Sequence, residues 1–279
     1  MKKLITRNIL ILSLVSLFAD IASDLLFPIT PIFLGAIGYS AFFIGTMEGL
    51  AEFIAGLSKG YFGELSDRVG KRAIFVRIGY TLSALSKPML GLSNAPFTVL
   101  LSRSTDRLGK GMRTNARDAW LADESQPIHR AKVFGFHRAM DTLGAVIGPL
   151  LALAFLSVYP KNFQALYLWA FVPGCLAVLL TLVAREEHLG GGTTHKGSAR
   201  SSQGNVRAHM QSPSTTFFSF INFWPKSSPS FRRICGLLLI FFAINSSDAL
   251  LLLLAAKNLG DERLVLIAYV VYNFFFALL

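Results

Sequence analysis

Charge is scarce in this sequence: Asp, Glu, Lys and Arg make up 15% of its 279 residues, against 53% hydrophobic residues. A soluble domain must cover its outside with polar groups, and this composition leaves too few. Cysteine is scarcer still. Cys175 and Cys235 both lie in apolar stretches, which excludes a disulfide framework or a thiolate metal site. The histidines (His129, His137, His188, His195, His209) are scattered over expected loops and helix ends, so they offer no metal-binding pair one helical turn apart. The constellation that an intramembrane enzyme needs is lacking; neither enzymatic chemistry nor a cofactor or metal is expected. Acidic residues are also few, 16 against 27 Lys and Arg, for a net charge of +11. The basic excess sits in short connections between apolar stretches, the placement that membrane topology favours, and is not read as a nucleic-acid footprint.

What the sequence has in quantity is long apolar runs. A helix needs about 20 residues to span a bilayer. Eight segments qualify: 9–34, 42–61, 74–92, 96–113, 133–159, 163–184, 234–256 and the stretch from 264. The first runs past Asp20 and Asp24, too far for a signal-peptide core. The fourth is the least apolar because charge crowds its second half. The class expected is an all-α membrane protein.

Basic residues orient it. With the N-terminus inside, Lys2, Lys3, Arg7, Arg68, Lys71, Arg72, Arg117, Arg130 and Lys132 all fall on the cytoplasmic side. The outer connections hold only Lys161, Lys257 and Arg263. This positive-inside bias places the chain as a multi-pass protein of the cytoplasmic membrane.

The stretch 190–214 is rich in Gly, Ser, Thr and Gln and reads as a flexible linker; 217–224 reads as a short amphipathic segment on the membrane surface. The expected organisation is a six-helix bundle over 1–189, a cytoplasmic linker over 190–230, and an incomplete second bundle over 231–279 holding a seventh segment and part of an eighth. A weak repeat supports the division. Leu17-Phe18-Ala19 with Ser23-Asp24 matches Phe241-Phe242-Ala243 with Ser247-Asp248 at a constant offset of 224 residues. Parallel repeats of six helices, with a site between the halves, are a transporter pattern.

Between the second and third segments stands Gly63-Glu64-Leu65-Ser66-Asp67-Arg68-Val69-Gly70-Lys71-Arg72. Its glycines suit a tight turn, Asp67 suits a helix N-terminus, and Lys71 and Arg72 suit the inner leaflet. The decapeptide closely resembles the signature loop of the major facilitator superfamily of secondary transporters. Arg107-Leu108-Gly109-Lys110-Gly111 resembles the superfamily's second motif, with Lys110 in place of Gln and Arg113 in place of a small residue. Gly144-Ala145-Val146-Ile147-Gly148-Pro149 resembles its antiporter motif, although Leu151 and Ala152 stand where glycines usually follow; a plain packing and kink element is the alternative. The resemblance implies alternating access around a central cavity, with Gly63, Asp67, Arg68, Gly70, Lys71 and Arg72 as a conformational switch.

The residues themselves show ionisable groups at membrane depth. Asp20 and Asp24 share one helix face, as do Glu48 and Glu52. Arg103, Asp106, Arg107 and Lys110 form one stripe; Arg138, Asp141 and Asp248 add to the set. Charges facing lipid cost several kcal/mol, so these stripes are expected to line a cavity. By this count the acids exceed the bases by three, and a carboxylate without a partner can take up and release a proton.

The expected function is proton-coupled efflux of a small solute by alternating access, with the substrate, protons and the lipid bilayer as partners. Uptake of an organic anion or other metabolite is the alternative, as is an inactive remnant of such a transporter. A chain of this length is expected not to transport alone, because the eighth segment falls short of the ~30 Å apolar core.

Overall fold

The computed structural model describes residues 5–186, 223–244 and 247–278. Among them every regular element is helical: α1 (Arg7–Asp24), α2 (Ile29–Ala36), α3 (Ala41–Val69), α4 (Arg72–Leu92), α5 (Pro96–Glu124), a 3₁₀ turn (Pro127–His129), α6 (Arg130–Val158), α7 (Phe163–Val183), α8 (Phe223–Lys226), α9 (Pro229–Ile244), α10 (Asp248–Leu259) and α11 (Glu262–Leu278). The expected linker and most of the amphipathic segment lie outside the described residues.

Two expected segments are each divided between two helices. The first is broken over Leu25 to Phe27 into α1 and α2. Pro28 precedes α2, and its ring has no N–H to give the Asp24 carbonyl one turn back, which favours an interruption there. The seventh is shared between α9 and α10, the latter beginning at Asp248.

Among the described residues, four helical stretches are long and apolar enough to cross a membrane: Arg7–Ala36, Ala41–Val69, Pro127–Val158 and Phe163–Val183. The third and fourth expected segments, α4 and α5, are not among them. Neither is apolar enough, and both pack against neighbouring helices: α4 against α5 and α7, and α5 also against α3.

Lipid supplies no hydrophobic drive between helices, so close backbone approach has to bring them together. Small residues stand at these crossings. A Cβ added at Gly109 of α5 would meet the Gly79 carbonyl of α4 at 2.5 Å, and one at Gly111 would meet the Ala55 carbonyl of α3 at 2.9 Å. Outward-facing residues are apolar: Phe42, Leu92 and Phe97 are 84%, 76% and 73% exposed. Polar groups inside and apolar groups outside invert the pattern of a soluble bundle.

The interior has two apolar clusters. One gathers Leu12, Val15, Val76, Tyr80, Trp120 and Val133 toward one end of the bundle. The other gathers Leu26, Phe33, Ile44, Leu90, Val99 and Leu166 toward the other end. Along α1, α4 and α5 the ionisable residues fall between the two sets, forming a charged layer between two dry ones. That layer holds the site.

Candidate functional site

A cavity of about 580 Å³ opens in the charged layer, within the range of small-molecule sites. Nine of the residues singled out in the sequence line it: Asp24, Glu48, Glu52, Arg103, Asp106, Arg107, Lys110, Arg138 and Asp248. The stripe on α5 and the carboxylate pair on α3 therefore face inward together, as expected from the cost of facing lipid. Asp20 and Asp141 are not cavity-lining. The Asp20 Cβ lies against Gly144, 3.0 Å from where a Cβ would stand there, and Asp141 Oδ1 lies 3.6 Å from His137 Nε2.

The charges are extensively paired. The Arg103 Nε donates to Glu48 Oε1 at 2.8 Å. Arg107 Nη2 lies 3.1 Å from Glu52 Oε1 and 3.7 Å from Glu48 Oε2. Lys87 Nζ donates to Asp106 Oδ1 at 2.8 Å, with both side chains buried.

Sequence reasoning missed Lys87. It stands alone in an apolar segment, and the patterns sought were pairs and stripes. The cost of one lysine at membrane depth was itself the available signal. Arg117, read as a loop residue, belongs to α5 and donates through Nη1 to Ser16 Oγ of α1 at 2.7 Å. Arg113 is buried with its guanidinium carbon 4.4 Å from the centre of the Tyr80 ring. With Lys87 and Arg113 inside, the expected excess of carboxylates falls from three to one, since Arg117 pairs with its neighbour Asp118 at 2.9 Å.

His137, placed near a helix end by the sequence, is buried in α6. Its ring nitrogens lie 3.4 Å from Ser13 Oγ and 3.5 Å from Ser16 Oγ. The residues matched at an offset of 224, Ser23 with Ser247 and Asp24 with Asp248, all line one cavity. The same offset carries Glu48 and Glu52 of α3 to Tyr272 and Phe276 of α11, which line the wall of that cavity.

The partners of Arg107 identify its role. Arg107→Gln is expected to lower thermal stability in detergent by up to about 1 kcal/mol, the range for an ion pair with an exposed partner, because Glu52 is 62% exposed and Glu48 keeps Arg103. Glu52→Gln should recover part of the loss. Rescue by Asp106→Asn or Asp141→Asn is not expected, because neither is paired with Arg107. An unchanged melting temperature in Arg107→Gln would show that the pair carries no stability.

The signature decapeptide is less of a loop than its sequence indicates. Gly63 to Val69 form the last turns of α3, and a Cβ at Gly63 would stand 2.7 Å from Asn115 Nδ2 of α5. Only Gly70, at φ +67°, makes the turn itself. Asp67 does not cap α4. Its carboxylate accepts from Arg72 Nη1 at 2.8 Å, while Arg72 Nε lies 2.7 Å from Asp123 Oδ2 at the end of α5. The cap is Glu186, whose carboxylate accepts from the backbone N–H groups of Arg72 and Ala73 at 2.8 and 3.0 Å. Arg68 pairs with Glu64 along α3, and Lys71 is exposed. In the third motif, Gly144 and Gly148 lie flat on the backbone of α1, and Pro149 is buried in α6. That geometry is a helix-packing device.

The fold and this charged cavity are those of a helical bundle of the membrane. The sequence profile of the Major Facilitator Superfamily matches residues 12–279, and the chain belongs to that superfamily. It is 30% identical over 280 residues to an MFS-type transporter of Methanocaldococcus jannaschii, MJ1317, covering 98% of this chain and 64% of that protein. It is 26% identical over 125 residues to the quinolone resistance protein NorA of Staphylococcus aureus, covering 45% of this chain and 32% of NorA. In structure it is similar to a bacterial homolog of the human lysosomal transporter Spinster in an inward-facing, unoccupied conformation. The TM-score is 0.58 at 18% identity, over 72% of this chain and 47% of that one. The chain thus spans less than two thirds of the length of each.

Proposed function

We propose that the 580 Å³ cavity is the substrate site of a proton-coupled secondary transporter of the cytoplasmic membrane, and that the direction of transport is efflux. The N-terminus lies inside, by the distribution of Lys and Arg between connections. One observation carries the coupling. Asp24 lines the cavity at the break between α1 and α2 and, among the described residues, has no ion-pair partner within 4 Å. A carboxylate so placed can exchange a proton with whichever side the cavity faces. Efflux is supported by the partial similarity to a quinolone resistance protein. The pairings described above hold the charged layer together between its dry neighbours, and the switch decapeptide joins the ends of α3, α4 and α5.

The test is flux in proteoliposomes under an imposed pH gradient, with a fluorescent quinolone and a panel of charged metabolites as solutes. Saturable flux that follows the pH gradient is expected from a transporter with both six-helix halves assembled. Asp24→Asn should abolish gradient-driven accumulation while solute exchange at equal pH continues. If Asp24→Asn accumulates solute as well as the parent, Asp24 is not the coupling group.

A further inference from the structure

The charges lining the cavity do not all cancel against one another. Three acid–base pairs are internal: Lys87 with Asp106, Arg103 with Glu48, and Arg107 with Glu52. Four ionisable side chains remain. Asp24 of α1, Asp248 of α10, Lys110 of α5 and Arg138 of α6 all line the cavity, and among the described residues none forms an ion pair within 4 Å. They are two of each sign, on four different helices.

The cavity also has an aromatic wall. Phe27 stacks on Tyr269 with ring centres 5.6 Å apart, Tyr269 on Tyr272 at 6.2 Å, and Tyr272 on Phe276 at 6.3 Å. These three residues of α11 are spaced along one helix face, so the rings form a continuous ladder beside the charges. The guanidinium carbon of Arg138 lies 5.9 Å from the centre of the Phe276 ring, so one of the unpaired cations stands at the ladder itself.

On the footing that this cavity is the transport site, we propose that its substrate is a zwitterion carrying a flat aromatic or similarly apolar group. A cationic ligand would satisfy the carboxylates and, by covering Lys110 and Arg138, exclude water from them without giving either an ion-pair partner. An anionic ligand would do the same to Asp24 and Asp248. Stranding desolvated charge weakens binding more than a lost neutral contact does, so the site discriminates by what each ligand leaves unpaired. A ligand with both signs satisfies both ends. Its apolar part lies along Tyr269, Tyr272 and Phe276, whose faces accept a flat group by stacking. When Asp24 holds a proton, Asp248 still supplies negative charge, so the preference survives both states of the coupling group.

Three indoles of nearly equal size test the charge requirement: tryptophan, a zwitterion; tryptamine, a cation; and indole-3-acetate, an anion. Binding of each radiolabelled probe to the purified full chain in lipid nanodiscs is measured directly. Tryptophan is expected to bind more tightly than either singly charged indole by about tenfold. Lys110→Gln should erase its advantage over tryptamine while tryptamine still binds. Asp248→Asn should erase its advantage over indole-3-acetate while that probe still binds. Because each variant must keep one probe, a misfolded protein is recognised and cannot imitate the result. The zwitterion assignment is overturned if a singly charged indole binds as tightly as tryptophan. It is also overturned if the preferences survive both substitutions, or if none of the three binds at millimolar concentration. Failure of the transport reading shows separately, as absence of pH-driven flux in vesicles.

Discussion

Lys87→Met is expected to lower the stability of the bundle by about 3–5 kcal/mol, the cost of leaving a buried charge without its partner. Lys87 and Asp106 bridge α4 and α5 with side chains only 6% and 13% exposed. Asp106 keeps one weaker contact, the Ser86 hydroxyl at 3.4 Å, which cannot replace an ammonium. Around the pair, Ser102 Oγ donates to the Ser86 carbonyl at 2.7 Å and Ser83 Oγ to the Asp106 carbonyl at 3.2 Å, so an unpaired carboxylate would disturb a crossing tied by several polar contacts. Methionine keeps most of the lysine's bulk, which isolates the charge from the packing. The measurement is thermal unfolding in detergent, followed by size-exclusion of the surviving monodisperse protein. Lys87→Met with Asp106→Asn should recover most of the loss, because removing both charges removes the stranded one. A single variant as stable as the parent would mean that Asp106 is hydrated in place, and that α4 and α5 are held by their backbone contact alone.

Gly148→Val is expected to be damaging as well, for a steric reason. A Cβ at Gly148 would stand 2.7 Å from the Leu25 nitrogen and 2.9 Å from the Ile21 carbonyl oxygen; one at Gly144 would stand 2.7 Å from the Leu17 carbonyl oxygen. These are backbone atoms of α1 and cannot rotate away as a side chain can. Replacing a helical glycine by alanine raises helix propensity by about 1 kcal/mol, so a destabilised Gly148→Ala would show that contact outweighs propensity. Overpacking costs about 1–3 kcal/mol, and the branched valine should exceed alanine. Gly135→Ala is the control. It is on the same helix with nothing within 4 Å of its added Cβ, and it should be neutral or stabilising. Equal effects at Gly135 and Gly148 would overturn the packing role. The site is affected too, because Leu25 follows Asp24 at the break between α1 and α2. Pushing α6 away from that break shifts a cavity carboxylate, so flux should fall more in Gly148→Ala than its stability loss accounts for.

Much of the fold was legible in the sequence because the cost of a charge in lipid depends on one residue and its depth. Glu48, Glu52, Arg103, Asp106, Arg107 and Lys110 could be assigned inward from helical spacing alone, and all of them line the cavity. The signature decapeptide was legible for a similar reason: Gly70 is the residue that its turn requires. Partner choice was not legible. Asp106 stands next to Arg107 in sequence but pairs with Lys87 on another helix. Asp67 was read as a cap, yet Glu186, more than a hundred residues away, occupies that place. Arg117 was assigned to a connection because the apolar run stops near Arg113, whereas α5 continues to Glu124 by packing on its neighbours.

The sequence by itself determined that the chain is a helical membrane protein of the major facilitator type, with ionisable stripes turned from lipid and small residues where helices cross. Those properties follow from hydropathy, helical period and side-chain size, which are local. Only the tertiary structure decided which charges neutralise one another, which four remain, and that an aromatic ladder faces them. Coulomb energy and ring stacking depend on distances of a few ångströms between helices, set by how closely their backbones approach, and no spacing along one chain contains them.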